Sequence, residues 1–89
     1  MEFEWDENKN KSNKEKHGID FNDAKEVFKD ENKKVTPDLR KDYGENRWKV
    51  VGQIYGSIIS VIYTIREKTR IISARLASRK ERKDYNDNE

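Results

Sequence analysis

Basic side chains concentrate where the last predicted strand ends. The segment 70–82, RIISARLASRKER, begins with the apolar run of a buried strand and then brings Arg75, Arg79, Lys80 and Arg82 within eight positions. Arginine stays charged at every working pH, and its planar fork of donors fits a phosphate group in a bidentate manner. The chemistry that these residues predict is the binding of a phosphodiester.

Charge is divided unevenly along the chain. Residues 66–83 carry eight basic and two acidic side chains, a net charge of +6, whereas the remainder carries twelve basic and sixteen acidic ones, a net charge of −4. A positive segment on a mildly acidic body is typical of a protein that binds an anion, most commonly nucleic acid. A solvated helix face is the structural alternative.

Cleavage of RNA needs more than phosphate binding. The 2′-hydroxyl must lose a proton, the charge on the five-coordinate phosphorus must be neutralised, and the leaving 5′-oxygen must gain a proton. Arginines can neutralise that charge, and His17, the only histidine, could transfer either proton. Tyr85 could stack on a base or donate a proton. A histidine at a helix end is also often a cap that interacts with the helix dipole, so both interpretations of His17 stay open.

Several other kinds of chemistry have no matching pattern. The chain has no cysteine, and its Asp, Glu and His residues do not have metal-ligand spacing. It also lacks a glycine-rich phosphate loop, an apolar run of ~18 residues and the apolar region of a signal peptide. We therefore expect a cytoplasmic protein that works without a metal, a cofactor or a membrane.

The elements that position these residues follow from caps and alternation. We expect one domain over residues 1–89, with a thin core because the chain is short and with a frayed end from about residue 86. The predicted elements, in chain order, are a strand at 3–5, helices at about 7–17 and 21–29, strands at 47–54, 57–65 and 69–74, and a helix at about 79–85. A short edge strand is expected near Val35. The helices are expected to begin after Asp6, Asp20 and Ser78.

This order, β-α-α-β-β-β-α, predicts an α+β fold with an antiparallel sheet, two N-terminal helices packed on one face and a short C-terminal helix. The first helix has no apolar residue, so it is expected to dock through polar groups, on the face of Lys9, Asn13 and His17. Trp5 and Trp48 are most simply core residues.

The arginines are expected to fall into two groups. Arg75, Arg79 and Arg82 belong to the end of one strand and the start of the following helix, so they are expected together. Arg66 ends the neighbouring strand, where the hairpin places it opposite Arg70 rather than Arg75. Only a strongly twisted or curved sheet would add Arg66 to the same groove.

A set of short motifs runs along the chain from Phe3 to Tyr85: Phe3-Glu-Trp5-Asp6, Lys9, Asn13, Lys16-His17-Gly18, Phe21, Ala24, Val27-Phe28, Gly44-Glu45, Arg47, Gly52, Tyr63-Thr64-Ile65-Arg66, Arg70-Ile71-Ile72-Ser73-Ala74-Arg75, Ala77, Glu81-Arg82 and Tyr85. In these motifs and their order the chain resembles a known family, the BrnT toxins. The first helix departs from the family in its richness in Lys and Asn. Each motif alone is weak, and the set is specific.

What the resemblance implies goes beyond what spacing can show. BrnT proteins are toxins of type II toxin–antitoxin systems with a RelE-like fold, and they act as metal-independent ribonucleases that inhibit translation. Their partner is a BrnA antitoxin with a ribbon-helix-helix DNA-binding part, so operator DNA is contacted only through the complex. The positions implied as catalytic are His17, Arg66, Arg75, Arg79 and Tyr85. Further RNA contacts are expected from Arg70, Lys80, Arg82 and Lys83.

Two other functions remain open at this point. A non-catalytic nucleic-acid-binding module would use the same basic residues and would not need the histidine. A protein–protein adaptor would use the basic face to dock an acidic partner.

Overall fold

Side-chain caps set the ends of the helices in the computed structural model, which describes residues 1–87. Asp6 accepts hydrogen bonds from two backbone N–H groups of the first helix, and Gly18, at φ 73°, ends that helix in the left-handed conformation that favours glycine. Asp20 caps the second helix. Ser78 and Glu81 form the predicted capping box of the last helix.

The described residues form five strands, three α-helices and one 3-10 helix. In chain order they are β1 (Phe3–Glu4), α1 (Glu7–His17), α2 (Phe21–Ala24), the 3-10 helix (Lys25–Lys29), β2 (Lys34–Pro37), β3 (Arg47–Ile54), β4 (Ser57–Ile65), β5 (Thr69–Leu76) and α3 (Arg79–Asn86). The expected edge strand near Val35 is β2. A frayed end was predicted from about residue 86, but Asn86 is still helical. Residues 88–89 lie outside the described part of the chain.

The strands form one mixed sheet in the order β1-β5-β4-β3-β2. Neighbours from β2 to β5 are antiparallel, as predicted for the three long strands β3, β4 and β5. The central strand is β4, which is apolar on both faces. The prediction of a wholly antiparallel sheet is wrong at β1, which pairs in parallel with β5 through Phe3–Thr69 and Glu4–Arg70. Alternation in so short a strand carries no information about direction, which depends on how the chain crosses over.

A β-bulge shifts the register between β4 and β5. Ile62 pairs with Ser73 and Tyr63 pairs with Ile71, so Ile72 is the extra residue. Between the bulge and the β4–β5 turn, Arg70 pairs with Thr64. The prediction that Arg66 lies opposite Arg70 is therefore wrong by two positions, because Arg66 belongs to the turn and bonds to Lys68.

One face of the sheet, here called the helical face, carries the main core. Phe21, Ala24 and Val27 are fully buried there against strand residues such as Val50 and Val61. Trp5 and Trp48 pack on the edge of this core, as predicted. The α1 helix joins the same face without an apolar side chain, and buries Asn10 and Asn13 instead.

Asn13 docks α1 to the sheet as if it were a strand residue. Its Nδ2 donates to the Ala74 carbonyl (2.8 Å) and to the Ile19 carbonyl (3.0 Å), and its Oδ1 accepts from the Ala74 N–H (3.1 Å). Asn10 also makes two such bonds: its Nδ2 donates to the Asp20 carboxylate, and its Oδ1 accepts from the Phe21 N–H. The polar docking is as predicted through Asn13, but Lys9 and His17 are exposed.

The opposite face, here called the α3 face, has a smaller apolar cluster. Val51, Ala77 and Tyr85 are buried there, with Ile58 packed against them. The Tyr85 hydroxyl donates to Asp30, which follows the 3-10 helix and also accepts from the Gln53 N–H. This bond therefore links α3 to the end of the helical layer.

No helix in the described part of the chain is both long and apolar enough to cross a membrane.

Candidate nucleic-acid interface

The α3 face carries basic side chains in successive cross-strand rows. Residues that pair directly across antiparallel strands project from the same face of a sheet. The rows on this face are Val51–Ser60–Arg75, Lys49–Ile62–Ser73 and Arg47–Thr64–Arg70. Each row contributes at least one cation, so the α3 face is the basic face of the sheet and is called by that name below.

Glu81 lies at the centre of the basic face, with a side chain that is 10% exposed. Its two carboxylate oxygens accept from Arg75 Nη1 at 2.7 Å and Nη2 at 3.0 Å, so that pair is bidentate. Lys49 Nζ donates at 2.8 Å, the Ser78 backbone N–H at 2.8 Å and the Ser60 hydroxyl at 3.4 Å. The side chain that caps α3 therefore also fixes the two cations nearest to it.

The charge state of Glu81 follows from these contacts. Burial alone would raise the pKa of this carboxyl, but the hydrogen bonds from Arg75, Lys49 and the Ser78 N–H outweigh it and hold the pKa far below its ordinary value. Glu81 is consequently ionised at any pH at which the protein is expected to work. A carboxylate with so low a pKa is a weak proton acceptor, which makes it a poor general base.

A hollow of about 180 Å³ opens beside these cations. Its lining residues, which define the cationic hollow, are Pro37, Asp38, Leu39, Arg40, Lys49, Ile62, Ser73 and Arg75. On the far wall, Arg40 makes a bidentate pair with the buried Asp38, with bonds of 2.8 and 2.9 Å. That pair lowers the pKa of Asp38 and raises the pKa of Arg40, so both stay charged.

The cationic hollow contains donors suited to a phosphodiester. The Arg75 side chain is 39% exposed and that of Lys49 33%, so both can reach a ligand while Glu81 holds them. Ser73 adds a hydroxyl that can donate or accept. Among residues 1–87, no group of three His, Cys, Asp or Glu side chains lies close enough to hold a metal ion.

Arg66 and Arg70 lie at the other end of the basic face. Glu45 accepts from Arg66 Nη2 and from Arg47 Nε, each at 3.1 Å, and these two arginines lower the pKa of Glu45. Arg70 bonds to Glu4 at 3.4 Å. Five positions of an extended strand separate Arg70 from Arg75, on the order of 15 Å. The structure does not bring Arg66 or Arg70 to the cationic hollow.

The α3 helix adds the remaining predicted contacts. Arg79, Lys80, Arg82 and Lys83 are all exposed on it. Arg82 Nη1 donates to the Ala77 carbonyl at 2.9 Å, which holds this side chain back against the start of the helix. These four cations extend the basic surface beyond the sheet, rather than closing around the cationic hollow.

His17 and Tyr85 lie away from the arginines. His17 is exposed at the end of α1 and lines a surface cavity with Ile59 and Leu76 on the helical face. The Tyr85 hydroxyl donates a hydrogen bond to Asp30, and this bond together with burial raises the pKa of Tyr85 to about 12. The five positions implied as catalytic are therefore not gathered in one place, although each role stays a prediction.

Sequence reasoning missed most of the residues that surround Arg75. The sequence indicates Glu81 only as a capping residue, and it does not single out Lys49 or Arg40. Strand alternation could have indicated Lys49, because the Lys49 side chain lies on the opposite face of β3 from its apolar neighbours Trp48 and Val50. No local signal could have paired Glu81 with Lys49, since that contact depends on where α3 packs.

The fold and this face together define an α+β protein with a cationic surface on one side of its sheet. The model of one protein family, described as "Ribonuclease toxin, BrnT, of type II toxin-antitoxin system", matches residues 5–81. The chain therefore belongs to the BrnT family, as the resemblance predicted. A search of curated proteins finds no relative that matches it. Family membership implies an RNA target and a protein antitoxin as partner.

Proposed function

We propose that this chain, acting as a single domain, is a metal-independent endoribonuclease of RelE-like type that cleaves RNA and thereby inhibits translation. The family match over residues 5–81 supports the ribonuclease class. The observation that carries the site is the placement of Arg75 and Lys49, held by one ionised carboxylate, at the edge of the cationic hollow.

The proposed reaction is attack by the 2′-hydroxyl on its own phosphodiester. A bond forms between the 2′-oxygen and phosphorus, and the bond to the 5′-oxygen breaks. Arg75 and Lys49 neutralise the charge that develops on the phosphoryl oxygens, a contribution that typically amounts to ~10²–10³-fold for each donor. The leaving oxygen takes a proton from the Lys49 ammonium, which solvent restores.

Water is the proposed acceptor of the 2′ proton. The pKa of Glu81 is too low for an efficient base. His17 lies on the helical face, and the Tyr85 hydroxyl is bonded to Asp30. In this proposal Glu81 is a positioning residue for Arg75 and Lys49, and catalysis rests on orientation and charge neutralisation.

The proposed partner is a BrnA-like ribbon-helix-helix antitoxin that covers the basic face in the cytoplasm, with operator DNA contacted only by the complex. An antitoxin segment with carboxylates would suit the exposed cations of α3, which are Arg79, Lys80, Arg82 and Lys83.

The test is cleavage of a labelled single-stranded RNA by the purified chain in EDTA. We expect products that end in a 2′,3′-cyclic phosphate, and a loss of about 10²–10³-fold in rate for Arg75→Ala. His17→Gln and Tyr85→Phe serve as controls that keep most of the activity, because neither side chain lines the cationic hollow.

Two results would contradict the proposal. Undiminished cleavage by folded Arg75→Ala would place the active site elsewhere. RNA that the wild-type chain shifts on a gel but leaves intact would support the alternative, a non-catalytic nucleic-acid-binding module.

A further inference from the structure

A second cavity adjoins the cationic hollow and differs from it in chemistry. It measures about 310 Å³, at the lower end of the ~300–1,000 Å³ typical of small-ligand sites. The two cavities share the wall formed by Pro37, Asp38 and Leu39. The remaining lining of this loop cavity is Lys41, Asp42, Tyr43, Glu45, Asn46, Arg47 and Trp48. Nothing in the reaction proposed above uses it.

The loop cavity contains a ready-made stack of planar groups. The Arg47 guanidinium lies 3.9 Å from the centre of the Tyr43 ring, and the Lys41 ammonium lies 5.1 Å from it. Glu45 holds Arg47 through a hydrogen bond of 3.1 Å. Unstacked RNA bases bind on aromatic rings and on guanidinium planes of this kind.

The loop that forms this cavity is tied down at several points. The Asp38 N–H donates to the Arg47 carbonyl, and the Asp38 carboxylate holds Arg40. Thr64 donates to the Asn46 carbonyl at 2.6 Å. The stack is therefore held in place before a ligand arrives, which lowers the entropy cost of binding.

We propose that the loop cavity binds one nucleobase of the RNA, on the nucleotide next to the phosphate in the cationic hollow. This inference rests on the proposed function, since it names a subsite of the same substrate. Arg47 covers one face of the Tyr43 ring, so in this proposal the base stacks on the other face of the ring or on the outer face of the guanidinium. The exposed carboxamide of Asn46 has two N–H donors and one acceptor, which suits the edge of a base.

The occupant follows from charge as well as shape. Two cations lie close to the ring of Tyr43, so a group that brings a neighbouring phosphate is favoured over an apolar side chain. The shared wall with the cationic hollow places the base and that phosphate in adjacent sites.

The experiment measures binding without cleavage. Short fluorescent single-stranded RNAs with 2′-O-methyl groups, which cannot be cut by 2′ attack, are titrated by anisotropy, with each of the four bases at every position in turn. We expect the wild-type chain to prefer particular bases at one position. Tyr43→Ala should weaken binding about 5- to 160-fold, the equivalent of ~1–3 kcal/mol of stacking, and remove that preference.

Three further variants make the result specific. Tyr43→Phe keeps the ring and should bind as the wild type does. Asn46→Ala should reduce the base preference more than the affinity. Tyr55→Ala removes an aromatic side chain that is 82% exposed on the β3–β4 turn, outside the loop cavity, and should change neither. Thermal unfolding of each variant checks that it is folded.

The inference is overturned if folded Tyr43→Ala binds with wild-type affinity and preference, or if Tyr55→Ala weakens binding as much as Tyr43→Ala does. Failure of the proposed function gives a different result: the wild type would bind these RNAs through Tyr43 yet leave unmodified RNA uncut.

Discussion

Five donors converge on the carboxylate of Glu81: two from Arg75 and one each from Lys49, Ser60 and Ser78. A buried carboxylate is stable only when its desolvation is offset by hydrogen bonds and opposite charge. Here the same bonds fix Arg75 and Lys49 at the cationic hollow. One residue thus couples the stability of α3 to the geometry of the proposed active site.

This coupling predicts a dependence of stability on pH. The folded-state pKa of Glu81 lies below the value of ~4.3 typical of an unfolded chain. Its stabilising effect is therefore complete above the unfolded pKa and is lost as the pH falls toward the folded pKa. We expect the wild-type chain to have a larger free energy of unfolding than Glu81→Gln at pH 7, and we expect this difference to shrink between pH 5 and pH 3.

Urea unfolding of both proteins at several pH values measures this difference. Taking the difference removes the effect of other acidic groups with lowered pKa values, such as Asp30 and Asp38. A gap between wild type and Glu81→Gln that stays constant from pH 7 to pH 3 would show that Glu81 is not held as described.

At the residue scale, the sequence singles out Arg75 as a candidate but does not indicate its surroundings. Arg75 stands out because it lies at the end of an apolar strand. Its partners come from β3, β4 and α3, and their assembly depends on a register that the bulge at Ile72 alters. Tyr43 and Arg47 could not be paired from the sequence for the same reason, because their stack forms within an irregular loop.

At the scale of elements, α1 shows how a helix without apolar side chains can still dock. Asn13 satisfies both the N–H and the carbonyl of Ala74, which the sheet would otherwise leave unpaired beside α1. Buried backbone groups that lose their partners cost ~1–3 kcal/mol each. The hydrogen bonds of Asn13 therefore replace the apolar stripe that usually holds a surface helix.

We expect Asn13→Ala to lower the free energy of unfolding by about 2–4 kcal/mol, a large share of the ~4–13 kcal/mol typical of a chain of this length. Lys9→Ala, which removes an exposed side chain one turn before Asn13 on the same helix, is the control and should change the free energy of unfolding by less than ~0.5 kcal/mol. Urea unfolding gives both values, and hydrogen exchange at the Ala74 amide reports the local effect. Equal stability of the two variants would contradict the docking role of Asn13.

The starts of the helices and the three long strands could be predicted well, because caps and alternation act over a few residues. The end of the second helix was predicted wrongly, since the expected helix over about 21–29 is α2 followed by the 3-10 helix. Asp6, Gly18 and the Ser78–Glu81 box each determined a boundary. The direction of β1 could not be predicted. The direction of β1 depends on how the chain connects β1 to β5 through the other elements. A strand of two residues has no sequence pattern that indicates this connection.

At the scale of the whole molecule, the basic and acidic side chains are less separated than the sequence indicates. Four cations of the sheet and of the β2–β3 loop have carboxylate partners from the chain itself: Arg40, Arg47, Lys49 and Arg75. The exposed cations of α3 add charge outside these pairs. We therefore expect α3 to supply much of the sequence-independent attraction for RNA, and the cationic hollow to supply the local chemistry.

This division predicts different salt dependences for two matched variants. The double substitution Lys80→Gln with Lys83→Gln on α3 should weaken binding to all single-stranded RNAs alike. It should also reduce the slope of log K against log salt by ~0.7 for each phosphate that the variant no longer neutralises. Lys11→Gln with Lys16→Gln, on the exposed side of α1, is the control of equal charge change. Identical slopes for the two variants would mean that α3 has no special part in binding.

The two borders of the sheet have a further consequence for recognition. One border is β1, which has two residues, and the other is β2, which has four and ends at Pro37, a residue without an N–H group. Each of these short strands offers few backbone groups for strand addition by another polypeptide, and on the part of β5 that β1 does not cover, Asn13 already occupies the N–H and the carbonyl of Ala74. We therefore expect a protein that binds this sheet to do so chiefly through side chains on its broad surfaces.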